Sequence, residues 1–187
     1  MYVESVEQLT RLIDSGIDVK FLQFWGHTPR VVNGIDAACL SQWWPAGFMM
    51  DGHRFADAEH YMMWRKARLF GDLDIAERVL AGRHPGQAKQ LGRRVDGFDE
   101  EVWRRHRVSI VVDGNRAKFT QDDRLRDYLV GTGQRVLVEA SPIDRVWGSG
   151  LARHHPDAAR PENWPGANLL GFALMRVRRE LMRSNDV

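Results

Sequence analysis

Apolar residues at helical spacing recur through most of this chain, while its strand-like runs are short, few and never alternate with helices. That order excludes a doubly wound parallel sheet, which needs strands and helices in βαβ succession. Strands are expected at Val19 to Trp25 and at Arg135 to Glu139, with a small hairpin from Phe48 to Phe55 around Asp51-Gly52. Helices are expected over 4–15, from Glu59 to Phe70 behind Asp57 as N-cap, and from Asp72 to Leu80. Pro85 suits the first position of a helix ending near Gly92. Asp99 opens a longer helix in which Val102, Trp103, His106, Ile110 and Val111 keep the apolar period, and Gly114 marks a break or a close approach. Asp122 to Leu129 and Ala167 to Met182 complete the helices. Pro29 and Asn33-Gly34 mark a loop. The expectation is an α+β, mainly helical fold: a single compact domain over 1–187, core about 20–183, with a few short strands.

At 187 residues the chain is long enough to bury a sizeable core, and 43% hydrophobic with 28% charged residues is ordinary for a soluble protein. No run of eighteen apolar residues is present, and the first residues have neither a basic nor an apolar region. Neither a membrane span nor a signal peptide is therefore expected. The single Cys39 cannot form an internal disulfide and fits a reducing cytoplasm. None of the seven histidines forms an HxxxH or HExxH pair, so no metal site is expected, and no cofactor either. The phosphate cradles GxGxxG and GxxxxGK[ST] are missing, as is the GxSxG elbow. Net charge is only +2, without one basic block, which argues against a general nucleic-acid-binding protein. The lysines are Lys20, Lys66, Lys89 and Lys118, leaving 23 arginines among the 27 basic residues. Where lysine is this scarce, one inside a partly apolar helix invites a specific explanation. Several of the seven tryptophans sit beside Gly or Pro, among them Trp25, Trp44, Trp147 and Trp164, a setting that suits pocket walls.

Two segments carry chemistry-bearing residues. The helix after Asp57 puts Glu59 and Lys66 seven residues apart, nearly two turns, on one face. Such a pair is either a solvated face or a carboxylate and an amine awaiting a pocket. The second segment runs Val138-Glu139-Ala-Ser-Pro-Ile-Asp144-Arg-Val-Trp147-Gly148-Ser-Gly150. Either Asp144 caps a turn and Trp147 fills core, or a strand end here presents both to a ligand that the glycines let approach. In the last helix, Leu170, Leu174, Val177 and Leu181 form a core stripe, and Asn168 near its start either caps it or offers an amide to a ligand.

Pieces in a fixed order then carry a resemblance. They are Phe24-Trp25, Leu40-Ser41-Gln42-Trp43, Phe48-Met-Met-Asp51-Gly52, Ala58-Glu59-His60-Tyr61 through Lys66, and Leu91-Gly92-Arg93. Ala117-Lys118-Phe119, Leu125 to Thr132, Val138-Glu139, Asp144-Arg-Val-Trp147-Gly148 and Asn168-Leu-Leu-Gly171 to Arg178 follow. Over about Phe24 to Leu181 the chain resembles the NADAR (YbiA-like) family, and within it a subgroup opening with Phe-Trp-Gly-His. The resemblance implies an N-glycosidase acting on a phosphorylated ribose bound to a guanine-like base or an aminopyrimidine. Riboflavin-pathway phosphoribosylamino-pyrimidine intermediates and ADP-ribosylated guanine, free or in nucleic acid, are the substrates implied. A non-catalytic module binding ADP-ribose or a nucleotide is the alternative. The family's catalytic residues fall on Glu59, Lys66 and Asp144. Trp147, Gly148, Arg93, Lys118, Phe48, Trp43 and Asn168 are the expected substrate-binding residues. The chain departs from the family at Gln42-Trp43, in place of Asn-Phe, and at Ala167 and Leu169, where two cations are lost beside Asn168.

Overall fold

The computed structural model describes residues 3–32 and 34–183; Asn33 of the expected turn and the chain ends lie outside them. In chain order the elements are α1 (Val6–Asp14), β1 (Phe21–Phe24), a 3₁₀ turn (Ala37–Leu40), β2 (Phe48–Met50), β3 (His53–Phe55) and α2 (Ala58–Leu69). They continue with α3 (Leu73–Ala81), α4 (Pro85–Gly92), α5 (Glu100–Thr120), α6 (Asp123–Gly131), β4 (Val136–Glu139), a second 3₁₀ turn (Pro161–Asn163) and α7 (Leu169–Arg183). The fold is mainly helical with a few short strands, as the apolar periods require. Its residues gather into two compact units, one built from the chain up to Ser41 and from Arg124 onward, the other from Gln42–Asp123. Neither crossing, near Ser41 or near Arg124, has the Gly/Pro/Ser composition of a linker.

In the two-segment unit, β1 pairs with β4 in parallel, from Phe21 opposite Val136 to Phe24 opposite Glu139. Val136, Leu137 and Val138 are all buried, which is why β4 reads as an unbroken apolar run rather than an alternating one. Helix α7 packs on β4 through the expected stripe of Leu170, Leu174, Val177 and Leu181. Gly171 makes this approach possible, because a Cβ there would overlap the Leu137 carbonyl. Arg178 is buried in the same unit, donating to Thr132 Oγ1 at 2.7 Å and to the Arg135 carbonyl at 2.9 Å. Burial, with Arg135 and Arg179 nearby, pulls its pKa down to about 10.

In the other unit, β2 and β3 form the expected hairpin, with Asp51 at φ +51° and Gly52 at φ +78° in the tight turn. Asp57 caps α2, its carboxylate accepting the His60 N–H at 3.0 Å. Helices α3, α4 and α5 pack around α2. Tyr61 lies beside Phe48, Phe55 and Trp64, with centroids 5.1–6.3 Å away. Its hydroxyl, desolvated there, is pushed up to about 12. Helix α5 runs unbroken through Gly114. Of the two sequence expectations there, close approach wins, since a Cβ would stand 2.6 Å from the Tyr61 ring.

Candidate active site

The start of α2 is held by a polar bridge that burial makes unusual. The Glu59 N–H donates to the Gln42 carbonyl at 3.1 Å. The Gln42 side-chain oxygen accepts from Asn115 Nδ2 on α5 at 2.7 Å, and that amide nitrogen also donates to the Val111 carbonyl. Lys118 stands one turn beyond Asn115 on the same face of α5. Glu59, Asn115 and Lys118 are 3%, 0% and 1% exposed, and Gln42, Asp57 and His60 are buried with them. Gln42 Nε2 and Asn115 Oδ1 are buried without a hydrogen-bond partner among the described residues, leaving one donor and one acceptor uncommitted. Gln42 and Asn115 are the members of this cluster that sequence reasoning missed. The available signal was Asn115 interrupting the apolar face of α5 among Val111, Val112 and Phe119.

Lys66 lies at the far end of α2 from Glu59, roughly 10 Å along the axis at 1.5 Å per residue. Its ammonium donates to the Gly92 carbonyl at 2.8 Å and stands 4.0 Å from the Phe98 ring centroid and 5.6 Å from that of Trp103. Burial lowers its pKa, while Glu100 pulls it back up. The seven-residue spacing puts both groups on one side of the helix, yet the helix length keeps them at separate ends. On α5, Lys118 is almost fully buried one turn from Asn115, the residue whose amide bonds Gln42.

The remaining expected residues divide between the two units. Arg93 is exposed at the C-cap of α4. Trp43 meets His84 edge-on at 6.2 Å, with Lys89 Nζ 5.9 Å from its ring. Phe48 is 2% exposed and packed on Phe55 and Tyr61, so the stacking role expected for it gives way to core. Lys118, expected as a phosphate ligand, is 1% exposed on α5.

In the two-segment unit, Asp144 Oδ1 accepts the N–H groups of Val146 and Trp147 at 2.9 and 2.8 Å. That is the turn cap, one of its two sequence alternatives. Gly148 is required by the fold of this turn, because a Cβ would stand 2.8 Å from the Glu139 carbonyl and 3.0 Å from that of Asp144. Asn168 is fully buried at φ +49°, donating to the Leu137 carbonyl at 2.9 Å and accepting the Glu139 N–H at 3.0 Å. Its amide joins α7 to β4 and is fully buried, a structural role in place of the binding role expected of it.

Among the described residues no group of three His, Cys, Asp or Glu side chains is arranged to hold a metal ion, and no helix is long and apolar enough to cross a membrane.

This chain is 42% identical over 146 residues to the N-glycosidase R617 of Acanthamoeba polyphaga mimivirus, an alignment covering 75% of the chain and 86% of that protein. It is 32% identical over 142 residues to the riboflavin biosynthesis protein VVA0006 of Vibrio vulnificus, covering 76% of the chain and 35% of that longer protein. The NMR structure of the E. coli protein YbiA superposes with a TM-score of 0.72 at 24% identity, over 90% of this chain and 89% of that one, so the fold is shared. The NADAR domain model matches residues 23–182, a span that takes in most of both units. The chain belongs to the NADAR domain family.

Proposed function

We propose that this protein is an N-glycosidase that hydrolyses the bond between a phosphorylated ribose and a guanine-like base or an aminopyrimidine. The observation that carries the reading is the burial of Glu59 on α2, whose N–H bonds Gln42, and of Lys118 on α5, one turn from the Asn115 that bonds the Gln42 side chain. Taking a carboxylate and an ammonium out of water is costly, so their retention in one interior calls for a reason. Glycosyl transfer supplies one, since positive charge grows on the ribose ring as the C1′–N bond lengthens, and a buried carboxylate stabilises it. The names of the relatives, N-glycosidase and riboflavin biosynthesis protein, support the same class. The candidate substrates remain a phosphoribosylamino-pyrimidine and ADP-ribosylated guanine.

In the proposed reaction the Lys118 amine, as the free base, attacks C1′. The new C–N bond forms as the bond to the leaving nitrogen breaks. Glu59 takes the proton shed by the attacking amine and passes it to that nitrogen, which departs as the neutral amine or base. Water then adds to the ribosyl-lysine adduct, through its open Schiff-base form, and frees both the amine and the ribose phosphate. The uncommitted Gln42 Nε2 and Asn115 Oδ1 match the carbonyl and N–H of a guanine-like edge. Trp43 is the stacking surface, and Arg93 is the phosphate ligand. Lys66 holds the α4–α5 connection.

The test incubates the protein with each candidate substrate, follows release by mass spectrometry and adds borohydride to trap an imine. Lys118→Ala and Glu59→Gln should each lower turnover by about a hundredfold or more with helical content intact, and the trapped adduct should map to Lys118. Lys66→Ala should stay within a few-fold of wild type. An adduct on Lys66 would return the nucleophile to α2. Tight ligand binding without release from either substrate would make the protein a binding module.

A further inference from the structure

The two-segment unit contains a cleft of about 600 Å³, within the usual range for small-molecule sites. None of the residues expected or proposed for the glycosidase reaction lines it. Its floor is the edge of β1 with Ala37, Ala38 and Ala140, and its rim carries Trp25, Arg30, Tyr128 and Arg153. We propose that this cleft binds a mononucleotide, with the base stacked on Trp25 and the phosphate held by Arg30 and Arg153.

Three observations point to that chemistry. Trp25 is 65% exposed, although a tryptophan ring left in water forfeits the burial that usually holds one. An exposed ring at the mouth of a cleft is a platform for another flat ring, and Tyr128 offers a second aromatic surface on the same cleft. The arginines supply the charge. Neither Arg30 nor Arg153 stands within 4 Å of a carboxylate oxygen among the described residues, so both guanidinium groups are open to an anion. The Arg153 guanidinium donates only to the Gln23 carbonyl at 3.1 Å, which anchors it over β1 and leaves its other donors open.

Asp36, the carboxylate in the lining, is ion-paired to neither guanidinium among the described residues and offsets only one of the two charges. Its two oxygens accept the backbone N–H groups of Arg30 and Ala38, each at 2.9 Å, so it folds the Arg30 loop back against the 3₁₀ turn. The result is an aromatic platform beside two guanidinium forks that outnumber the one carboxylate of the lining, which suits recognition of a ring joined to a phosphate. This inference does not rest on the glycosidase reading.

The test titrates ¹⁵N-labelled protein with AMP, and with adenosine and inorganic phosphate as its halves. AMP should shift the Trp25 indole signal and the amides of residues 22–30 and 152–154, and should bind at least tenfold more tightly than either half. Arg30→Gln and Arg153→Gln should each weaken AMP roughly tenfold, the loss of one charge-assisted contact. Trp25→Ala should weaken AMP and adenosine but leave phosphate unchanged. Both arginine variants should melt within a few degrees of wild type. AMP shifts that spare the cleft, or affinity unchanged in both arginine variants, would overturn the proposal. A short single-stranded oligonucleotide that displaced AMP at more than tenfold lower concentration would overturn the mononucleotide as its ligand. Failure of the hydrolysis assay leaves these outcomes unaffected.

Discussion

Lys66 is a charged group in a half-buried setting, and its stability effect has a definite sign. Its pKa in the folded protein lies below the ordinary lysine value of 10.5, because burial disfavours the ammonium more than Glu100 favours it. Between the lowered value and 10.5 the unfolded chain binds more protons than the folded one, so stability rises with pH across that window. Urea unfolding from pH 8 to 10.5 should therefore show wild type gaining stability relative to Lys66→Met. A flat difference would mean that Lys66 is solvated. Asp144 permits a cleaner separation of roles. Asp144→Asn keeps an oxygen for the Val146 and Trp147 N–H groups and removes the charge, whereas Asp144→Ala removes both. If Asp144 acts by holding the turn, the Asn variant keeps stability and turnover, and the Ala variant loses about 1–2 kcal/mol. A collapse of turnover in Asp144→Asn, with melting unchanged, would restore its catalytic role.

Among the elements, the contact of α7 with β4 depends on backbone meeting backbone. Gly171→Ala places a methyl against the Leu137 carbonyl and the Asn168 amide, groups that cannot rotate away. It should cost about 1–3 kcal/mol or more, read as a lowered urea midpoint. Gly131→Ala, at the end of α6, meets nothing within 4 Å and is not at positive φ, so it should be neutral or gain up to about 1 kcal/mol. Opposite signs for one chemical change would locate the close contact. Asn168→Gly tolerates the left-handed backbone but leaves the buried Glu139 N–H and Leu137 carbonyl without their partner, at about 1–3 kcal/mol for each group stranded.

At the scale of the molecule, the two units differ in how their chain is spent. Gln42–Asp123 is continuous, whereas the other unit needs β1 and β4, which lie more than a hundred residues apart in sequence. A parallel pair across so long a separation is closed late and slowly. A peptide spanning 42–123 should show helical circular dichroism by itself. Peptides spanning 1–41 and 124–187 should each lack β1–β4 protection in hydrogen exchange. Recovery of that protection in either peptide alone would contradict the pairing.

Local chemistry determined much of this protein from sequence. Asp57, Asp72 and Asp99 each cap the helix expected of them, Pro85 opens α4, and Asp51-Gly52 makes the hairpin turn, because caps and turns are satisfied by residues a few positions away. The core stripe of α7 was legible for the same reason. Glu59 was singled out from its helix, but its setting was not, because Gln42 and Asn115 lie 73 residues apart and meet only when α2 packs on α5. Phe48 and Asn168 kept their positions and changed their roles, since a ring or an amide reads the same in sequence whether it faces a ligand or a neighbouring strand. Tertiary structure alone decided that Lys118 is almost fully buried while Lys66 is half-buried against Phe98. Burial and partnership depend on what arrives from distant chain, and no local pattern encodes that.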